Sequence, residues 1–230
     1  MPPVRLSIVM PLAPGETAWC GLLAQLRALP ADSEIVLVRA QEALLALPAA
    51  WPAGPRLRQC RSRPGRAVQM NAGARVARGR WLWFLHADSR LTPQTWPALQ
   101  AFITADAPAL GYFRLKFLHD GPRLAALNAL GANLRARWLG LPFGDQGFVL
   151  RAEDFARLGG YDERLACGED HFLVWRARAA GLPLREIPAA LATSARKYAQ
   201  RGWVATTVWH WRLTLAQARQ AARETRRVEP

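Results

Sequence analysis

The chain has 230 residues, a length that favours one domain with a short extension. Hydrophobic residues make up 51% of the chain and charged residues 21%, which permits a sizeable core and excludes wholesale disorder. With 31 Lys and Arg against 17 Asp and Glu, the formal net charge is +14, and almost all of the excess is arginine. This charge suits nucleic acid, an anionic membrane surface or a phosphorylated small molecule as partner, and equally suits a solvated surface.

Export and membrane insertion are both disfavoured. No apolar run reaches the roughly 18 residues that a membrane-spanning helix needs, and the apolar stretch near the amino terminus is short for a signal peptide. The three cysteines, Cys20, Cys60 and Cys167, are odd in number and lack a CxxC spacing. We therefore expect a cytoplasmic protein without a disulfide framework or a zinc site.

Strands and helices alternate along the first half of the chain. The predicted strands are 5–10, 34–39, 56–60 and 81–86, the third being more exposed than the others. The predicted helices are 19–29, a short one after residue 40, 65–79, and one that begins near Thr92. This alternation is typical of an α/β fold with a mostly parallel central sheet and helices on its faces.

The second half is less regular. It predicts a strand over 111–118 and a turn followed by a strand over 143–151. The helices that it predicts are 122–139, 152–158 and 168–181. We expect one domain over 1–201 and an amphipathic helical extension over 202–230. The apolar stripe of this extension consists of Val204, Val208, Trp211, Leu215 and Ala218.

Four of the scarce acidic residues lie where chemistry is plausible. Asp88 follows a buried strand, and ligands of open α/β sheets bind outside the carboxyl ends of the strands. A carboxylate there suits a divalent cation or, alternatively, caps the next turn. Glu169 and Asp170 begin a helix, where they act either as a general base or as ordinary capping groups. Asp145 lies in a glycine-flanked turn, which indicates either an Asx-turn or a close approach to a ligand.

Basic residues accompany these acids. The segment SARKYAQRGW (194–203) places three cations and two aromatic residues within ten positions. Such a cluster can neutralise a departing phosphate, face a membrane or simply be solvated. The other cations of interest are Arg63, Arg66 and Arg90, and His86 is the histidine closest to the Asp88 turn.

Four stretches resemble the family 2 inverting glycosyltransferases of GT-A fold, and most closely a small bacterial subgroup associated with arsenosugar-type biosynthesis. They are SIVMP (7–11), GRAVQMNAGARVARGRWLWFLHADSRL (65–91), GDQGFVLRAEDFARLGGYDERLACGEDHFLVWRARAAG (144–181) and TSARKYAQRGW (193–203). The second stretch resembles the family's helix, strand and metal-binding turn, with HAD in place of DxD. The third resembles its acceptor-side segment and ED motif.

The resemblance implies a nucleotide-diphosphate sugar donor, a hydroxyl acceptor of unknown identity, and Mn²⁺ or Mg²⁺ as cofactor. It implies Asp88 as the metal ligand, Asp170 as the general base with support from Glu169, and Asp145 and Gln146 on the acceptor side. The implied donor-binding residues are Pro11, Glu16, Arg66, Asn71, Gly73, His86, Ala87, Arg196 and Arg201.

The sequence departs from the family pattern where the nucleoside would bind. The first-strand turn reads PLAPGE, which keeps Glu16, and the second-strand turn reads VRAQE, with Arg39 where the family carries Asp. Two alternatives therefore stay open: a non-catalytic binding module with this fold, and a basic membrane or nucleic-acid binder, with nucleic acid the less favoured partner. The tail of 203–230 either packs on the core or lies on the inner face of a membrane beside a lipid acceptor.

Overall fold

The computed structural model describes residues 3–40, 54–165, 167–208 and 212–213. Its strands are β1 (Leu6–Leu12), β2 (Ser33–Ala40), β3 (Arg56–Ser62), β4 (Trp81–Phe84), β5 (Arg90–Leu91), β6 (Leu110–Phe117), β7 (Val149–Arg151) and β8 (Leu184–Thr193). Its helices are α1 (Trp19–Leu26), α2 (Arg66–Val76), α3 (Thr95–Ala105), α4 (Ala125–Leu139), α5 (Ala152–Arg157), α6 (Glu169–Ala179) and α7 (Arg196–Arg201). A 3₁₀ turn spans Gly144–Gln146.

One eight-stranded sheet runs through the molecule in the order β3-β2-β1-β4-β7-β6-β8-β5. The half formed by β3, β2, β1 and β4 is parallel, as predicted. In the other half, β7 is antiparallel to both neighbours, β6 and β8 run parallel, and β5 is antiparallel to β8. The sheet is therefore mixed, and the carboxyl ends of β1, β2 and β4 meet at one edge.

Strand β8 was not predicted from the sequence. It carries Pro188 and several exposed positions, so it lacks the apolar run that marked the other strands. Its register against β6 shifts at the point where Ile187 pairs with Phe113 and Ala190 pairs with Arg114. Pro188 thus lies in an irregular part of the ladder, where its missing N–H is tolerated.

Apolar side chains fill both faces of the sheet. Leu22, Leu26 and Leu99 of α1 and α3 pack on one face. On the other face, α2 and α6 contribute Met70, Leu173 and Val174. The layers are helix, sheet and helix, which is the expected arrangement for strands buried on both sides.

Buried polar side chains fix helix α2 to the edge where the strands end. The Gln69 amide nitrogen donates to the carbonyls of Leu12 and Val38, each at 2.8 Å. Asn71 donates to the Tyr161 carbonyl and accepts from the Tyr161 N–H, both at 2.9 Å. These bonds tie α2 to the ends of β1 and β2 and to the loop that leads into α6.

Part of the predicted extension is joined to α4. Residues 203–208 are helical. The indole of Trp203 donates to the Asn128 amide oxygen at 2.6 Å, and the Asn128 amide nitrogen donates to the Thr207 hydroxyl at 2.9 Å. The predicted stripe residues Trp211, Leu215 and Ala218 lie outside the described residues, as does the predicted short helix after residue 40. Within the described ranges, no helix is long and apolar enough to cross a bilayer.

Candidate active site

Three segments converge at the edge of the sheet where β4 ends. The chain leaves β4 at Phe84 and turns through His86, Ala87 and Asp88. Strand β7 lies antiparallel beside β4, so the 3₁₀ turn that precedes β7 is brought next to this turn. Helix α6 begins against the same turn, because the Gly144 N–H donates to Oδ2 of Asp170 at 3.1 Å.

Asp170 has the most unusual environment of these acids. Its Oδ1 atom is buried and has no hydrogen-bond partner within the part of the chain that the structure describes. Burial raises the pKa of Asp170 to about 6, and the negative charge of Glu169 adds to the effect, while Arg66 and His86 oppose it. A carboxyl group of this kind stays mostly ionised at neutral pH and is a stronger base than an exposed aspartate.

Arg66 faces this cluster from the first turn of α2. Its Nη1 atom lies 3.6 Å from Oε1 of Glu169. Burial acts to lower the pKa of Arg66, but the charges of four carboxylates outweigh it and raise the pKa. Those carboxylates are Asp170, Glu169, Asp145 and Asp88. The guanidinium therefore holds a positive charge among all the acids that the sequence singled out.

Asp145 contacts two basic side chains in the same cluster. Its Oδ1 atom lies 2.8 Å from Nδ1 of His86, and its Oδ2 atom lies 3.5 Å from Nζ of Lys197. Burial acts to raise the pKa of Asp145, yet Lys197, His86 and Arg66 hold it well below its usual range. Burial and Arg66 act to lower the pKa of His86, but the hydrogen bond to Asp145 and the negative charges of Asp145 and Asp170 together outweigh them and raise it.

Asp88 is half-buried, and among the described residues it accepts no hydrogen bond and forms no ion pair. Its charge still raises the pKa values of Arg66 and Lys197, which places it near both cations. The described ranges contain no group of three His, Cys, Asp or Glu side chains able to hold a metal. Mg²⁺ commonly binds through one or two carboxylates and substrate phosphates, so Asp88 fits as a single protein ligand.

The family model for glycosyl transferase family 2 matches residues 39–153, which is half of the chain. The chain belongs to glycosyl transferase family 2. The matched segment includes Arg66, His86, Asp88 and Asp145, whereas Asp170 lies beyond its end. No curated protein sequence matches the chain at a significant level.

Solved structures agree with this family 2 assignment at the level of the fold. S. aureus TarS 1–349 in complex with UDP-GlcNAc superimposes with a TM-score of 0.62 at 16% identity, covering 83% of this chain and 58% of that one. The UDP complex of the same TarS fragment gives a TM-score of 0.60 at 16% identity, covering 83% and 60% of the two chains. The family 2 chain thus spans less than two thirds of these TarS fragments. The likeness confirms the predicted GT-A-type α/β fold.

Three residues that the resemblance implies as donor-binding or acceptor-binding also make structural contacts within the fold. Asn71 bonds the backbone of Tyr161, as described above. A Cβ on Gly73 would collide with Val38, so this glycine lets α2 lie close to the sheet. Gln146 is fully buried, donates to the Phe113 carbonyl at 2.9 Å and accepts from the Phe143 N–H at 2.9 Å. These three residues support the elements that form the site of the family 2 chain.

The remaining donor-side predictions are spread along the same edge. Pro11 lies near the end of β1, Ala87 is buried in the turn after β4, and Glu16 accepts from the Ala18 N–H at 2.7 Å. Arg196 is bound to Ser194 at 3.0 Å and lies 3.9 Å from Asp120. The structure gives no description of the Arg201 side chain.

Sequence reasoning missed an arginine and an aromatic residue beside the site. The guanidinium of Arg135 lies 3.2 Å from the ring centroid of Phe143, and burial lowers the pKa of Arg135 to about 10. The Phe143 ring lies 4.6 Å from that of His171, next to Asp170 in α6. Phe143 immediately precedes the Gly144 turn, and this position in the sequence could have indicated that it lies beside the site. Lys197 was noted among the cations but was not assigned to the site.

Proposed function

We propose that this chain transfers a sugar from a nucleotide-diphosphate sugar to an acceptor hydroxyl, with inversion at the anomeric carbon. The observation that carries the proposal is the buried environment and the raised pKa of the Asp170 carboxyl group. Its Oδ2 atom accepts a hydrogen bond from the Gly144 N–H, and its buried Oδ1 atom has no hydrogen-bond partner among the described residues. Burial raises the pKa of the carboxyl group to about 6. Such a carboxylate is suited to take a proton from a hydroxyl group.

In the proposed reaction the acceptor oxygen attacks the anomeric carbon as Asp170 removes its proton. The bond between that carbon and the diphosphate oxygen breaks, and the nucleoside diphosphate leaves with the bonding electrons. Arg66 and Glu169 position the carboxylate, since both act on its charge and Arg66 lies 3.6 Å from Glu169. Asp145 lies on the acceptor side, where the Gly144–Gln146 turn meets α6.

In this proposal the cations of the site lie on the diphosphate side. His86, Lys197 and Arg66 all interact with Asp145 and supply positive charge beside the Asp88 turn. Preorganised cations of this kind stabilise the negative charge that develops on a leaving diphosphate. Asp88 would hold Mn²⁺ or Mg²⁺, which when bound neutralises diphosphate charge. The complexes of TarS with UDP-GlcNAc and UDP support a nucleotide-sugar as donor.

A non-catalytic relative is the second candidate, and Arg39 is the observation that favours it. Arg39 lies at the carboxyl end of β2, beside Leu12 of β1, where the family carries an aspartate for the nucleoside. A donor site with a changed nucleoside pocket either accepts a different base or has lost the donor. The metal and acceptor parts of the site do not share this change.

Ligand-induced stabilisation tests the proposal. The chain is heated with UDP, GDP or dTDP and with their sugars, each with and without Mn²⁺. A ligand at about 100 times its dissociation constant adds roughly 2.7 kcal/mol to the free energy of unfolding. We expect one nucleotide to stabilise the chain in a Mn²⁺-dependent manner, and Asp88→Asn to remove the metal dependence. No stabilisation by any nucleotide would favour the non-catalytic candidate.

A further inference from the structure

Helix α4 presents its large apolar residues to solvent and its small ones to the core. Its buried side chains are Ala125, Ala129, Ala132 and Ala136. Along the opposite side run Leu127, Leu130, Leu134 and Trp138, a set called here the outer face of α4. The leucines of this face are between 48% and 56% exposed, and Trp138 is 78% exposed. An amphipathic helix of a globular protein normally has the reverse arrangement.

The apolar surface continues past this stripe. Leu124 and Leu139, at the two ends of α4, are 50% and 64% exposed. The helical segment 203–208, which Asn128 joins to α4, adds exposed Val204 and Val208. Exposed apolar groups that are contiguous on this scale mark interaction surfaces rather than ordinary solvated surface.

The charges around the outer face are positive. Arg123 lies just before α4 and Arg137 within it, and both are exposed. The exposed Arg178 donates to the Leu139 carbonyl at 3.0 Å and adds a third cation at the carboxyl end of the helix. From residue 121 to residue 144 the sequence has no acidic residue.

The acids on neighbouring elements are paired with cations. Asp120 bonds Ser194 at 2.6 Å and lies 3.9 Å from Arg196. Glu186 lies 3.7 Å from Arg114. The border of the outer face is therefore basic, in a chain whose net charge is +14.

We propose that the outer face of α4 docks on an anionic membrane surface, with the helix lying in the interface. The combination of an apolar stripe, an exposed tryptophan and flanking arginines is the pattern of helices that lie in lipid headgroups. A second copy of the chain is a poorer occupant, because self-association would bring Arg123 and Arg137 against a surface of the same sign. The proposed function is not required for this docking.

Docking would also orient the candidate site. Gly144 follows Leu139 by five residues, a chain length that spans at most about 18 Å. Arg135 of α4 stacks on Phe143, the residue before that turn. The Asp170 side of the molecule would therefore be held near the bilayer, where an acceptor carried by the membrane is within reach.

Co-sedimentation of the full chain with lipid vesicles tests the proposal. One set of vesicles is phosphatidylcholine alone, and the other contains phosphatidylglycerol as well. We expect binding to the second set only, and at least a tenfold weaker partition for the triple variant Leu130→Gln, Leu134→Gln, Trp138→Gln. Because these side chains are exposed, the variant should keep the wild-type melting temperature.

Two double variants that each remove two positive charges distinguish the effect of charges beside the outer face from the effect of the net charge of the chain. Arg123→Gln with Arg137→Gln removes two charges beside the outer face and should weaken binding about tenfold. Arg27→Gln with Arg61→Gln removes two exposed charges at the end of α1 and in β3 and should have a much smaller effect.

Three results would overturn the proposal. They are no binding of the wild-type chain to anionic vesicles, full binding by the triple variant, and a wild-type dimer that the triple variant converts to a monomer. The second result would move the contact to the segment after residue 202, and the third would make a second copy the occupant. None of them bears on sugar transfer, which is measured separately with a water-soluble acceptor.

Discussion

The backbone N–H of Gly144 and the carboxylate of Asp170 are joined by a 3.1 Å hydrogen bond across 26 positions of sequence. The bond connects the turn before β7 to the first turn of α6. It fixes Oδ2 of Asp170, while Oδ1 is buried and has no hydrogen-bond partner in the described ranges. The orientation of the proposed base thus depends on the backbone of a glycine, and that dependence can be tested.

Gly144→Ala should disable the site with little effect on the backbone. No positive φ occurs at this position, so alanine is sterically allowed there, but its Cβ would lie 2.5 Å from Cγ of Asp170. The carboxylate must move, and misplacement of a base by about 1 Å costs on the order of 100-fold in rate. We expect kcat to fall by about that factor while donor affinity is kept. Gly131→Ala, in open space on α4, is the matched control and should leave kcat unchanged.

Asp170→Asn should stabilise the fold at neutral pH. The folded-state pKa of about 6 lies above the usual 3.8, so the folded chain binds this proton more tightly than the unfolded chain. The stability that the group contributes is present below pH 4 and is lost as the pH rises to 6. Above pH 6 the free energy of unfolding of the variant should therefore exceed that of the wild type by about 2–3 kcal/mol. Urea melts at pH 4 and pH 7.5 measure this, and an equal gain at both values would contradict the assigned burial of the charge.

Asp145→Asn should lower the pKa of His86. The Asp145 carboxylate raises that pKa through a 2.8 Å contact, and its own pKa is held well below the usual range by Lys197 and His86. The pair stabilises the fold above the ordinary aspartate pKa and below the folded pKa of His86, and this stability is lost on either side. Titration of the His86 ring by NMR should show a lower midpoint in the variant. His119→Gln is the control, and an unchanged His86 midpoint in Asp145→Asn would exclude the pairing.

Asp88→Asn should abolish any effect of divalent cations on donor binding. Asp88 is the acidic residue of the turn after β4 that accepts no hydrogen bond from a described residue, so its replacement removes no internal contact. We expect chelation of Mn²⁺ or Mg²⁺ to weaken nucleotide binding by the wild-type chain at least tenfold and to leave the variant unchanged. Glu153→Gln, at an exposed acid of α5, serves as the comparison and should keep the wild-type sensitivity to chelator. Equal sensitivity of wild type and Asp88→Asn to chelator would place the cation elsewhere.

Gln146→Leu should cost stability rather than acceptor affinity. The side chain bonds the buried Phe113 carbonyl and the half-buried Phe143 N–H, so leucine removes the partner of both backbone groups. Each lost partner costs about 1–3 kcal/mol. We expect a loss of roughly 2–4 kcal/mol in chemical denaturation and an acceptor KM close to that of the wild type. A large rise in the acceptor KM with unchanged stability would instead support the acceptor-side role inferred from resemblance.

Much of the fold was predictable because its parallel half carries strong patterns. Strands β1, β2 and β4 are nearly fully buried, and their apolar runs alternate with helices of clear period. Strand β8 escaped prediction because only half of its positions are buried and Pro188 interrupts it. Its place in the sheet is set by pairing with β6, which is a long-range contact that local patterns do not encode.

The charged residues of the site could be predicted because they lie in recognisable motifs, but the contacts between them could not. The sequence singled out Asp88, Asp145, Glu169, Asp170 and Arg66, and the structure brings their charges together. It could not reveal that His86 pairs with Asp145, since 59 positions separate them and neither has a recognisable spacing. The outward leucines of α4 were also missed, because an amphipathic period does not say which of two apolar stripes faces the core.

The most direct test of the central claim compares turnover and donor binding for Asp170→Asn. The variant keeps the size of the side chain and an oxygen for the Gly144 N–H, but it cannot accept the acceptor's proton. Loss of general-base catalysis should lower kcat by about 10²–10⁴-fold, with the dissociation constant of the nucleotide-sugar within about threefold of the wild type. Turnover at the wild-type rate would contradict the assignment of Asp170 as the base. Loss of donor binding together with turnover would show that Asp170 holds the donor instead.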